Sequence, residues 1–305
     1  MEETRLNKFL SEMGICSRRE ADRLVEAGKV MIDGKPAVMG QKVRDGQTVI
    51  CDGKLVCGGS RSGAAAGGCI QDRAAAGGDS QGRAAAGGDS LKGALADGGI
   101  PSGAAAGETP VRRPKPVWLV VNKPRGIVCT TSDKDRAENI VEFLKYPARI
   151  YPVGRLDKDS EGLLLMTNQG GLVNQIMRSG NAHEKEYEVR VNKPLTREFL
   201  DAMAEGVELK ELKQTTRPCE ITATGKDSFR IILTQGLNRQ IRRMCETLGY
   251  RVLELKRVRI MNIRLGSLKT GGFRRMTREE YEEMLWLLEE SDSSNLPFAE
   301  RGLER

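Results

Sequence analysis

With 305 residues, 30% of them charged, only 4% aromatic, and a formal net charge of +7, the chain has room for about two domains. The basic excess fits an anionic partner, nucleic acid foremost. The charged N-terminus MEETRLNKFLSEMG excludes a secretory signal peptide, and no apolar run nears the roughly 18 residues of a membrane span, so the chain reads as cytoplasmic.

In chain order, Leu6, Phe9, Leu10 and Met13 have the spacing of a helix with one buried face. Ser17 and Glu20 have capping-box spacing, and Ala21, Leu24 and Val25 continue a second helix that Gly28 can end. In VMIDGKPAV, Asp33-Gly34 between two short apolar runs predicts a hairpin. Arg5, Lys8, Arg18, Arg19 and Lys29 are among the basic residues of this unit. Residues 57–116 then change character: AAAGG recurs at 64, 74 and 84, and large apolar residues are almost absent. Such a stretch buries too little to offset its ordering entropy, which predicts a flexible linker, a low-complexity expansion serving as a spacer.

Beyond it, VWLVVNKP, RIYPVGRLD, GLLLMTN, KEYEVRVN, CEITAT and FRIILTQG read as strands. Helical patterns sit at about 138–145, 170–179, 196–205, 238–248 and 277–289, the last opening on the capping box Thr277/Glu280. The mixed order predicts an α+β domain with a mainly antiparallel sheet. In the helix from 238, Arg239, Arg242 and Arg243 share one face while Ile241, Met244, Cys245 and Leu248 form the apolar one. The segment 230–275 holds twelve basic residues and two acidic ones, a local excess suited to phosphate contacts.

Seven scattered cysteines without a CxxC pair, and a single histidine, His183 in the polar stretch NAHEKE, exclude a zinc cluster and disfavour a nucleophilic triad. The stretch GRLDKDSEGLLLMTN carries the densest chemistry. Asp157, Asp159, Glu161 and Gly162 match positions 1, 3, 5 and 6 of a calcium loop, but position 12 is Asn168 and the flanks read as strands. A glycosidase pair is also disfavoured: Asp157 and Asp159, two apart on extended chain, project to one side, whereas the carboxylates must flank the scissile bond. A catalytic aspartate at a strand end, facing nucleic acid, remains.

Four motifs in order make that reading specific. GRLDKDSEGLLLMTN, VVNKPRGIVC, HEKEYEV and GLNRQIRRMCETLGY resemble those of the pseudouridine synthases, in the branch that acts on ribosomal RNA and carries an N-terminal S4 domain. That branch comprises a small-subunit type A and large-subunit types B, E and F. RLNKFLSEMGICSRREADRLVEAGKVMIDG resembles the S4 pattern, and SGNAHEKEYEV and RVRIMNIRLG are most similar to the type F large-subunit branch. The resemblance implies an S4 RNA-binding domain at 1–56, the Ala/Gly-rich linker at 57–116, longer than the family's usual segment, a catalytic domain at 117–290 and a flexible tail at 291–305. It implies an isomerase that detaches uracil from C1′, turns it over and rejoins it through C5, with no metal or cofactor.

By the same resemblance, Asp157 is the catalytic carboxylate, ionised in a closed pocket, with Arg242 as its expected cationic partner. Tyr187, which by alternation with Val189 and Val191 reads as a core tyrosine, would stack on the target base. Asn122, Lys123 and Pro124 would shape the pocket, Arg155 would steer a flipped nucleotide, and Asn238, Arg239, Gln240 and Arg243 would contact RNA. In the S4 part, Arg5, Lys8, Ser17, Arg18, Arg19 and Lys29 would do so. The implied partner is large-subunit ribosomal RNA, with small-subunit ribosomal RNA and a transfer RNA anticodon as alternatives, and a monomer is the default expectation. The rival class is a non-catalytic RNA-binding assembly factor.

Overall fold

The structure is a computed structural model and describes residues 3–57, 111, 113–130, 138–177 and 183–294. Most of the segment read as a linker, including every AAAGG copy, lies outside the described residues, as do residues 295–305 of the expected tail. The chain divides between Pro114 and Lys115 into two compact units.

In the first unit, a short strand β1 (Thr4–Arg5) leads into α1 (Leu6–Glu12), and Ser17 caps α2 (Arg18–Glu26) by accepting from the Glu20 N–H. The predicted hairpin forms: β2 (Val30–Ile32) turns at Asp33 and Gly34, both at positive φ, into β3 (Lys35–Pro36). The strand β4 (Lys42–Val43) pairs with β1. Two further strands, β5 (Val49–Cys51) and β6 (Lys54–Cys57), complete a four-stranded sheet in the order β3-β2-β5-β6. Leu6, Leu10, Ala21 and Val25 pack on Val30, Ile32, Val49 and Val56, so the helical spacing and the strand alternation meet in one core.

The second unit opens on β7 (Trp118–Lys123), followed by α3 (Ile140–Leu144), β8 (Tyr151–Val153), β9 (Glu161–Thr167), α4 (Gly170–Met177) and β10 (Lys185–Val191). Then come α5 (Arg197–Glu205), the short pair β11 (Glu208–Leu209) and β12 (Gln214–Thr215), β13 (Glu220–Ala223) and β14 (Ser228–Leu233). The chain closes with α6 (Gln240–Thr247), β15 (Val252–Ile260), β16 (Ile263–Arg264), β17 (Phe273–Arg275) and α7 (Arg278–Ser294). One sheet runs β13-β14-β10-β15-β9-β7-β17, with β8 on β9 and β16 on β15; only β9 and β15 pair in parallel.

β7 and β9 are continuous apolar runs because both their faces are covered. Trp118, Val120, Leu163 and Leu165 pack with Ile176 of α4 and Met284 and Leu288 of α7. Leu119, Val121, Leu164 and Met166 pack with Ile140 and Leu144 of α3 on the opposite face. Under β10, β14 and β15, a third cluster gathers Phe199 and Met203 of α5 with Ile241, Met244 and Cys245 of α6.

The mixed, mainly antiparallel sheet agrees with expectation, and so does the Thr277/Glu280 capping box, whose two backbone-to-side-chain bonds both form. Other expectations need correction. RIYPVGRLD is a strand only over β8, because Gly154 takes φ +72 and turns the chain. α7 continues past residue 290 into the expected tail. His183, expected in a polar stretch, is buried, with Nε2 3.5 Å from the Ser291 hydroxyl of α7. The central strand β15 was not anticipated. Its alternation is broken where it bulges: Glu186 pairs with Arg259 but Tyr187 with Arg257, so Val258 is skipped.

Candidate active site

Asp157 lies in the loop between β8 and β9, on a turn closed by Ser160 N–H donating to the Asp157 carbonyl. Two buried cations clamp that loop from behind. Lys123 Nζ, at the end of β7, donates to the carbonyls of Ser160 at 2.8 Å, Pro124 at 2.9 Å and Lys158 at 3.4 Å. Arg242 Nη2, from α6, donates to the Asp159 carbonyl at 3.0 Å and the Ser160 hydroxyl at 3.4 Å, while Nη1 reaches Val252 O. Burial pushes both side chains below their ordinary pKa.

This changes the expected pairing. Arg242 makes no ion pair with Asp157 among the described residues and turns inward beside Ile241, Met244 and Cys245. The carboxylate instead faces Arg239, whose Nη1 is 4.0 Å from Asp157 Oδ2 and 3.6 Å from Asp159 Oδ2. Arg239 is not on the helix but precedes it at φ +51, a left-handed conformation that costs a non-glycine residue on the order of 1 kcal/mol. Helical spacing therefore put three arginines on one face, whereas the left-handed residue breaks the arc and sends Arg239 and Arg242 to different sides of the loop.

A cavity of about 300 Å³ opens in front of Asp157. Of the residues expected at the site, Arg155, Asp157, Tyr187, Asn238, Arg239 and Gln240 line it. Leu156, Leu233, Leu237, Ile241, Leu255 and Met177 supply an apolar part, a mixture suited to one flat, polar-edged ring. Tyr187 packs partly against the core and partly lines the cavity, so the core reading describes only one side of it. Gln240 is buried, accepting from Leu237 N–H and donating to Gln235, and so shapes the wall.

Asn122, Lys123, Pro124, Arg242 and Arg243 do not line the cavity. Asn122 is buried with its amide on Leu268 O, because β7 is covered on both faces. Arg243 is held by Asn238 and by an ion pair with Glu211. In the first unit, Arg5, Arg18 and Arg19 are exposed and without a side-chain partner among the described residues. Lys8 pairs with Glu12, Lys29 with Asp52, and the Ser17 hydroxyl is already used as a helix cap.

Two charged wall residues escaped the sequence reading, Lys185 and Arg257. Lys185 is 6% exposed and Arg257 2%. The available signal was alternation: Lys185, Tyr187, Val189 and Val191 fall on one face of β10, and Arg257 sits opposite Tyr187 on β15. Gly162, the apparent bend of a calcium loop, serves this pairing. It takes φ +103 in β9, and a Cβ there would collide with the Arg257 backbone.

A carboxylate beside a guanidinium on a small, half-apolar cavity, in a mainly antiparallel sheet, is equipped to hold a single base, and comparison with known proteins defines the class. The family described as RNA pseudouridylate synthase matches residues 117–247, and the S4 domain matches residues 4–49. The chain belongs to the RNA pseudouridine synthase family, in the branch that carries an S4 domain, and is an isomerase of that class.

Among individual proteins, the dual-specificity RNA pseudouridine synthase RluF of Salmonella typhi is 42% identical over 97% of this chain and 83% of its own length. RluF of Escherichia coli K12 is 40% identical over the same shares. The ribosomal large subunit pseudouridine synthase B of Bacillus subtilis is 27% identical over 92% of this chain and 95% of its own. A crystal structure titled pseudouridylate synthase shares the fold, with a TM-score of 0.55 at 23% identity, covering 92% of this chain and 99% of that one. No helix among the described residues is long and apolar enough to cross a membrane.

Proposed function

We propose that the enzyme converts uridine to pseudouridine in large-subunit ribosomal RNA, with Asp157 as its catalytic carboxylate. The observation that carries this is the common cavity: Asp157 and Tyr187 share one wall space large enough for a base, with Arg239 beside the carboxylate. Asp157 acts on the nucleotide, Tyr187 packs against the base, and Arg239 offsets the charge of the paired aspartates. Exposed Arg155 occupies the mouth, where it steers a flipped-out nucleotide. Lys123 and Arg242 position the Asp157 loop. Arg5, Arg18 and Arg19 supply phosphate contacts from the S4 unit. The protein works as a cytoplasmic monomer, with residues 57–116 as a spacer between an RNA-binding part and a catalytic part.

The name dual-specificity RNA pseudouridine synthase, borne by the RluF relatives, supports a second RNA substrate, and transfer RNA belongs in the test beside ribosomal RNA. The reading is tested by tritium release from C5-labelled uridine in a large-subunit transcript. Wild type releases it; Asp157→Asn keeps RNA affinity and releases none. Release by the variant removes Asp157 from the catalytic role; binding by wild type without release on every one of these RNAs moves the reading to an assembly factor.

A further inference from the structure

Besides Arg155 and Arg239, two further cations line the cavity. Lys185 and Arg257 come from neighbouring strands, β10 and β15, and both are nearly inaccessible to solvent. Neither has an anionic partner among the described residues. Lys185 Nζ donates to the His183 carbonyl at 3.1 Å, which leaves two of its three protons uncommitted. Arg257 Nε donates to Leu163 O at 2.7 Å, but its buried Nη2 has no hydrogen-bond partner among the described residues. Two like charges buried at one cavity are unfavourable until an anion or a pair of carbonyl oxygens arrives. Burial, and after it the neighbouring Arg257 charge, pushes Lys185 down to about 8. A fold that carries this cost at its cavity wall, beside Tyr187, has placed donors there for a ligand.

We infer that Lys185 and Arg257 form a subsite for the carbonyl oxygens of the uracil ring and stabilise the base while it is detached. This rests on the synthase reading above. When the C1′–N1 bond breaks, its electron pair leaves with the base, so uracil departs as an anion with charge spread over N1 and its two carbonyl oxygens. The new C1′–C5 bond then uses an electron pair of the ring, C5 gives up its proton, and N1 takes one up. Nothing is oxidised or reduced. During the detached interval the base needs positive partners that do not hold one edge rigidly, since it has to turn. Two donors from different strands meet that need, because either oxygen can occupy either one.

The test is single-turnover tritium release with the full chain in excess over a large-subunit transcript, alongside filter binding and thermal unfolding. Lys185→Met removes the charge while keeping the apolar stem. Its rate is expected to fall about a hundredfold, the size of losing one preorganised donor, with RNA affinity within about threefold and no loss of thermal stability. Lys185→Arg, which restores charge and donors, is expected to recover at least about a tenth of the wild-type rate. A Lys185→Met enzyme with the wild-type rate overturns the inference. So does a rate loss matched by an equal loss of RNA affinity, or failure of Lys185→Arg to rise above Lys185→Met. If Lys185→Met does not fold, Lys185→Gln carries the same readings. Wild type that releases no tritium overturns the synthase reading instead, and the inference with it.

Discussion

Gly162 stands where β9 and β15 run in parallel, with the Arg257 backbone against its α-carbon. A side chain there meets backbone rather than a flexible tip, and φ +103 disfavours it independently. Gly162→Ala is expected to destabilise the protein by at least about 2 kcal/mol, read from urea unfolding; an unchanged midpoint would mean that the strands are not this close. Lys185 makes a prediction of opposite sign. Below pH 8 it is protonated both folded and unfolded, so the cost of burying its charge is fully present. Between about 8 and its ordinary value of 10.5, the folded state has released the proton and the unfolded state has not, so stability rises with pH. Lys185→Met should therefore exceed wild type by on the order of 3 kcal/mol near pH 7, with the gap closing toward pH 10.5. A gap that stays constant across this range contradicts the assignment.

At the scale of elements, the Asp157 loop and the start of α6 form one device. Lys123 from β7 and Arg242 from α6 hold the loop by its carbonyls, while Arg239, just before the helix, meets its carboxylates. These roles separate experimentally. Arg242→Ala leaves buried carbonyls unpaired and is expected to cost about 2–3 kcal/mol of stability together with activity. Arg239→Ala, at a part-exposed position, should change stability by less than about 0.5 kcal/mol while lowering the reaction rate. Comparable unfolding midpoints for the two variants would erase the distinction. The alternation of KEYEVRV and the repeat of apolar residues in α6 made both elements legible, yet neither pattern shows which arginine turns inward. That depends on the left-handed Arg239, and nothing in GLNRQ signals it.

For the whole molecule, charge acts over distances that no single contact covers. The exposed Arg18 and Arg19 of the first unit, if they meet phosphates, should govern affinity and its salt dependence without touching the chemical step. Replacing both by Ala is expected to lower the slope of log affinity against log salt by about two, leaving the single-turnover rate at saturation unchanged. An unaltered slope places the phosphate contacts elsewhere. The sequence by itself determined most of the order of elements, the two-part division and the family, and it nominated Asp157, because each of these is written in local spacing or in a contiguous motif. Only the tertiary structure decided which cation faces Asp157, why Gly162 is glycine, and that Lys185 and Arg257 share a wall. These are relations between strands up to a hundred residues apart in the chain. They follow from sheet register, a bulge and one left-handed residue, which are settled by packing rather than by local pattern.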